Sequence, residues 1–231
     1  MTKRIIAIGG GGFGRNPGEG IIEKYILEQS EIECPNICLI PTATGDDEAY
    51  KENYYSTFSE LNCTPVHLDF FKRTPNLEKL ISAQDIIFVG GGNTKSMLAV
   101  WEEWGLDKLL KEAYQEGTTM CGVSAGAICW FQEGITDSWA DELKVMNCLG
   151  FVDGVCCPHY DEEPERRPSV HKFISEVSIG SCHAIDGGCA LHLKDGIPSE
   201  AIVFAEGKNS YFINLEENKV KENPYPRKEI Y

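Results

Sequence analysis

The stretch Thr118-Thr119-Met120-Cys121-Gly122-Val123-Ser124-Ala125-Gly126-Ala127-Ile128-Cys129-Trp130 decides the fold. Its first four residues read as a short buried strand, and its last four as the opening turn of an apolar helix. Between them, Gly122-Val123-Ser124-Ala125-Gly126 has the G-x-S-x-G form of a nucleophile elbow. Glycines permit the sharp turn and leave the serine exposed at the carboxyl end of the strand. Such a turn also aims main-chain N–H groups at the place where an oxyanion would form. The competing interpretation is a glycine-rich turn whose serine merely caps the helix. The surrounding sequence separates the two.

Upstream, strands and helices alternate. Arg4–Ile8 is a continuous apolar run, suited to burial on both faces of a parallel sheet. It ends in Gly9-Gly10-Gly11-Gly12-Phe13-Gly14, which satisfies G-x-G-x-x-G formally. A dinucleotide site needs a helix to open directly from that loop, whereas Arg15-Asn16-Pro17-Gly18 follows and the helical pattern starts near Ile21. The loop is therefore expected at the mouth of the sheet, without a nucleotide role. Ile37–Ile40, Pro65–Leu68 and Asp85–Val89 are the next strands. The last opens into Gly90-Gly91-Gly92-Asn93-Thr94, where Asn93 or Thr94 is placed to cap the following helix. Ligands in such sheets bind beyond the carboxyl ends of the strands, so the loops after residues 8, 40, 89 and 123 are expected to meet. Beyond Trp130 come the run Val155–Pro158, a helix over 169–178, a strand at His183–Ile185, and hairpin-linked strands at 189–193, 201–205 and 210–214. The tail from Glu216 reads as polar surface. With neither repeat nor linker, residues 1–231 are expected to form one domain.

Composition removes several function classes. A net charge of −15 opposes nucleic acid and anionic membranes as partners. The ten cysteines include no C-x-x-C pair and mostly sit in apolar runs, so neither a zinc site nor a disulfide framework is expected. No metal and no cofactor is implied. The first residues run straight into a strand, and no run approaches a membrane span, which points to a cytoplasmic protein with reduced thiols.

A serine nucleophile needs a base and a group to orient that base. Of the five histidines, His67 and His192 alternate with apolar neighbours, His171 sits in a helix, and His183 begins a strand. His159 alone lies where an apolar strand breaks after a proline. Asp186 ends the next strand before two glycines and is the first candidate for the orienting acid; Asp137, Asp153 and Asp161 are its rivals. Arg166 and Arg167, shortly after His159, offer positive charge for a substrate carboxylate, or else pair with the acidic run Asp161–Glu165. The order Ser124, His159, Asp186 differs from the Ser, Asp, His order of α/β-hydrolases.

Three segments together resemble the dipeptidase E group of serine peptidases, which includes aspartyl dipeptidase and cyanophycinase. They are Val89-Gly90-Gly91-Gly92-Asn93-Thr94, Gly122-Val123-Ser124-Ala125-Gly126-Ala127 and Pro158-His159-Tyr160. The resemblance implies an α/β three-layer sandwich with a mostly parallel central sheet, similar to class I glutamine amidotransferases, here followed by an antiparallel hairpin region. It further implies Ser124 as nucleophile, His159 as general base, and the amides of Gly91 and Ala125 as the oxyanion hole. Asn93 joins Arg166 and Arg167 as a substrate-binding candidate. Where aspartyl dipeptidase has a glutamate, this chain has Asp186. The activity implied is hydrolysis of short peptides such as dipeptides, Asp-X among the candidates although Asp186 in place of the glutamate weakens transfer of that preference, by a monomer or homodimer. An esterase or amidase on the same residues, and a non-catalytic small-molecule-binding relative, are the alternatives.

Overall fold

The computed structural model describes residues 2–16 and 19–231. Pro17 and Gly18, part of the loop reading above, lie outside the described residues, as does Met1. In chain order the first half comprises β1 (Arg4–Ile8), α1 (Ile21–Leu27), β2 (Asn36–Ile40), α2 (Glu48–Phe58), β3 (Thr64–His67) and α3 (Leu77–Ser82). It continues with β4 (Ile86–Val89), α4 (Thr94–Trp104), α5 (Leu106–Glu116), β5 (Thr119–Val123) and α6 (Ala125–Ile128). The second half comprises β6 (Phe131–Thr136), β7 (Lys144–Asn147), β8 (Val152–Cys157), α7 (Arg166–Ser175), β9 (Ser181–Ile185) and β10 (Cys189–Lys194). It ends with β11 (Ile197–Val203), β12 (Ser210–Glu216), β13 (Lys219–Pro224) and β14 (Arg227–Glu229).

These strands form two mixed sheets. The eight-stranded sheet has the order β14-β11-β10-β1-β5-β4-β2-β3, with β1, β5, β4, β2 and β3 mutually parallel. Its central strands β1, β5, β4 and β2 are largely apolar because helices cover both faces, whereas the edge strands β3 and β14 are not. Along β1, Ile5 and Ala7 join a core with Met97 and Trp101 of α4 and Leu110 of α5. Ile6 and Ile8 point the other way, to Ile22 and Ile26 of α1 and Tyr54 and Phe58 of α2. The six-stranded sheet, β13-β12-β9-β8-β6-β7, is parallel across β6, β8 and β9. Cys156 and Val152 of β8 belong to the first core, whereas Val155 and Cys157 pack with Val170 and Ile174 of α7.

The α/β expectation holds, with corrections in the second half. Strands β6 and β7 were not anticipated. Only β10 and β11 form the expected hairpin; β12 pairs antiparallel with β9 in the other sheet. The polar tail lies at the surface as expected, but as strands: β13 extends the second sheet and β14 adds to β11 in parallel. No helix among the described residues is long and apolar enough to cross a membrane. No cluster of His, Cys, Asp or Glu among them has the makings of a metal site.

Candidate active site

Ser124 stands at the tip of β5 with φ 57° and ψ −111°, a conformation unfavourable for a residue with a Cβ. Its N–H donates to Ile8 O at 3.1 Å, which ties the turn to the end of β1. Both flanking glycines are required sterically. A Cβ on Gly122 would run into Gly126 O, and one on Gly126 into Val89 O. The turn therefore packs backbone on backbone between β4 and β5, and Ser124 is the one side chain left at its apex.

The loops expected to converge do so. A cavity of about 230 Å³ is lined by Gly11, Gly14 and Arg15 after β1, Thr44 after β2, and Gly91 and Gly92 after β4. Tyr50, Val123, Ser124 and His159 complete it. Gly91 lies against the serine, since a Cβ built on it would be 3.3 Å from Ser124 Cβ. Ala125 follows directly as the first residue of α6. Asn93 is not in this lining. Its Oδ1 accepts from Ser96 N–H at 2.9 Å as the cap of α4, and its Nδ2 donates to Ser138 O at 3.2 Å.

His159 reaches the cavity from the end of β8 and has a positive φ of 53°. Its N–H donates to Gly9 O at 3.1 Å, and the next amide, Tyr160 N–H, donates to Ile185 O at 3.1 Å. These bonds fix the turn between the two sheets. The carboxylate in contact with the His159 ring is that of Glu162, and that of Asp186 is not. Glu162 Oε2 lies 2.7 Å from His159 Nδ1, and Glu162 Oε1 accepts from Arg15 Nη1 at 2.6 Å. Arg15 Nη2 lies 3.4 Å from the same ring nitrogen. Burial opposes the charged form of Glu162, but the His159 and Arg15 hydrogen bonds outweigh it and hold its pKa below the usual carboxylate value. With Nδ1 occupied, Nε2 is the ring nitrogen without a hydrogen-bond partner among the described residues. Among the described residues no direct hydrogen bond yet joins Ser124 to the ring.

Asp186 is turned elsewhere. Its Oδ2 accepts from Asn209 N–H at 3.0 Å and its Oδ1 is buried without a partner. Burial raises its pKa to about 6, against the lowering by the Asn209 amide. Asp161 is spent on Gly187 N–H, 2.8 Å from its Oδ1, and on Lys208.

The two candidate arginines lie outside the cavity lining. Arg166 is 2 % exposed, with Nε on Glu163 Oε2 at 2.6 Å and Nη1 on Ile135 O at 2.9 Å, and serves as an internal brace. Arg167 stacks on the Tyr160 ring at 4.7 Å and pairs with Glu222 at 3.6 Å, outside the cavity lining. The cation at the cavity is Arg15, which sequence reasoning passed over together with Glu162 and Tyr50. The available signal was position: Arg15 directly follows a glycine loop at the sheet's mouth.

Comparison with known proteins gives the chain a family. The model of peptidase family S51 matches residues 5–199. The chain is 44% identical over 227 residues to the peptidase YgaJ of Bacillus subtilis (strain 168), itself uncharacterised, covering 98% of both chains. It is 24% identical over 179 residues to peptidase E of Haemophilus influenzae, covering 72% of this chain and 77% of that one. A crystal structure of a peptidase from an acI-B1 Actinobacterium shares the fold, with a TM-score of 0.68 at 18% identity over 98% of this chain and 95% of that one. A serine at a strand-to-helix turn, opposed across a cavity by a carboxylate-held histidine, thus sits in a chain that belongs to peptidase family S51.

Proposed function

We propose that this serine-type peptidase hydrolyses dipeptides by acyl transfer to Ser124, with His159 as general base and Glu162 as its orienting acid. The observation that carries the reading is the Glu162–His159 Nδ1 contact of 2.7 Å at the edge of the cavity that Ser124 lines. A carboxylate on Nδ1 keeps the proton there and leaves Nε2 basic. Ser124 Oγ attacks the peptide carbonyl while Nε2 takes its proton, and Glu162 stabilises the imidazolium. The oxyanion forms beside Ala125 and Gly91. Collapse expels the amine, which takes the proton from Nε2, and water then releases the acyl group by the same steps.

The space supports a small substrate. About 230 Å³ is less than the roughly 300–1,000 Å³ typical of drug-sized sites, so a substrate of two residues fits better than a long peptide. Among the lining residues Arg15 is the sole arginine, lysine or carboxylate, and its side chain is half exposed. It takes the place of Arg166 and Arg167 as the group for a substrate carboxylate, such as the side chain of an Asp-X dipeptide. A dipeptide library read by mass spectrometry tests the reading. Hydrolysis is expected with the wild type and lost with Ser124→Ala; full activity in Ser124→Ala would end it.

A further inference from the structure

One side chain lining the Ser124 cavity has no part in the reaction as described, and its placement is tightly determined. Tyr50 lies in the first turn of α2, where its N–H donates to the capping Asp47 Oδ1 at 2.8 Å. Its ring is wedged between two glycine loops. A Cβ on Gly14 would come within 2.6 Å of Tyr50 Cε2, and one on Gly90 within 2.7 Å of Cε1 and 3.4 Å of the hydroxyl oxygen. Phe13 backs the ring at a centroid separation of 5.0 Å. Residues 14 and 90 therefore have to lack side chains for this ring to reach the cavity.

The hydroxyl lies at the glycine loop that flanks Ser124. It approaches the Gly90 end of that loop, and a Cβ on the next residue, Gly91, would be 3.9 Å from Ser124 Oγ. Among the described residues no side chain accepts the phenol proton. Burial holds the phenol well above its ordinary pKa, so the hydroxyl keeps its proton across the neutral range.

We propose that Tyr50 is a catalytic residue, its hydroxyl donating to the tetrahedral oxyanion alongside the Gly91 and Ala125 N–H groups. This rests on the acyl-transfer reading. As the Ser124 Oγ–carbon bond forms, the carbonyl π pair moves onto oxygen. The Tyr50 proton stays on Tyr50 and is hydrogen-bonded, not transferred. The contact strengthens as charge develops, so it acts on kcat more than on substrate binding.

The test is Tyr50→Phe, which keeps the ring between Gly14 and Gly90 and removes only the donor. Two quantities are measured: kcat and KM on a cleaved dipeptide, and the rate at which a fluorophosphonate probe labels Ser124. The expected result is a fall of about 100-fold in kcat, a change of less than about 3-fold in KM, and a similar slowing of labelling. Unchanged kcat and labelling in Tyr50→Phe, with the wild type labelled, overturns the role of Tyr50 alone. A loss confined to KM also overturns it, because that reports binding. A wild type that resists the probe while Ser124→Ala still hydrolyses peptide overturns the acyl-transfer reading and this proposal with it.

Discussion

His159 has two acidic neighbours of different kinds, and only one of them meets its ring. Glu162 is three residues away, and it reaches Nδ1 because His159 takes a positive φ of 53° and starts a turn in which Glu162 N–H bonds His159 O at 3.1 Å. Asp186 is distant in sequence and near in the fold, yet its carboxylate is committed to the Asn209 amide. The roles are therefore separable by isosteric substitution. Glu162→Gln removes the charge that favours the imidazolium and the acceptor that fixes the tautomer, so kcat is expected to fall by about 10³-fold or more. Asp186→Asn keeps an oxygen for Asn209 and is expected to leave kcat within about 3-fold. Steady-state kinetics on one dipeptide checks both, and the reverse ranking would return the orienting role to Asp186.

At the scale of elements, the site is made by loops that press together where side chains are missing. The loop after β1 is the clearest case. Gly10 sits against the catalytic pair, so that a Cβ there would come 2.6 Å from Glu162 Oε2 and 2.9 Å from His159 Nδ1. Gly10→Ala is expected to push the pair out of line and lower kcat about 10- to 100-fold, with little change in Tm. Gly180→Ala, where a Cβ meets nothing within 4 Å, is the matched control and is expected to leave kcat unchanged. The sequence displays such loops well, because glycine runs at the ends of apolar strands are contiguous signals. It displays pairing partners poorly. The 210–214 strand has the same alternation whether it joins β11 or β9, and only the packing of distant segments selects β9. Likewise Asp161, Glu162 and Glu163 are equivalent as text. Their separate duties, to Gly187, His159 and Arg166, depend on how the turn at His159 rotates each side chain. Arg166 reads as exposed within a charged run but is swallowed by the turn, because Glu163 meets its Nε, Ile135 O its Nη1 and Asp137, at 3.6 Å, its Nη2.

For the molecule as a whole, each sheet buries a histidine that has to stay neutral. His192 in β10 is 1 % exposed, with Nδ1 2.7 Å from the Tyr25 hydroxyl and Nε2 unpartnered. Burial pushes its pKa down to about 4, helped by Lys194, Arg4 and Lys228. His183 in β9 is 7 % exposed, bonds the Tyr225 hydroxyl at 2.7 Å, and is also pushed down to about 4 by burial. The unfolded chain takes up these protons near pH 6.5 and the folded protein only near pH 4. Their contribution is therefore complete above pH 6.5 and is lost as the pH falls from there towards 4. Asp186 acts in the opposite sense, since its pKa raised to about 6 makes the folded state gain relative stability as the pH falls below 6. Total acid sensitivity is thus a sum of opposing slopes, and a difference measurement isolates one group. Urea unfolding of the wild type and of His192→Gln is expected to show a stability difference that shifts against the wild type by about 1.4 kcal/mol per pH unit between pH 6.5 and 4. A difference that stays constant over that range would mean that His192 titrates alike in both states and that its burial between β10 and α1 costs no proton.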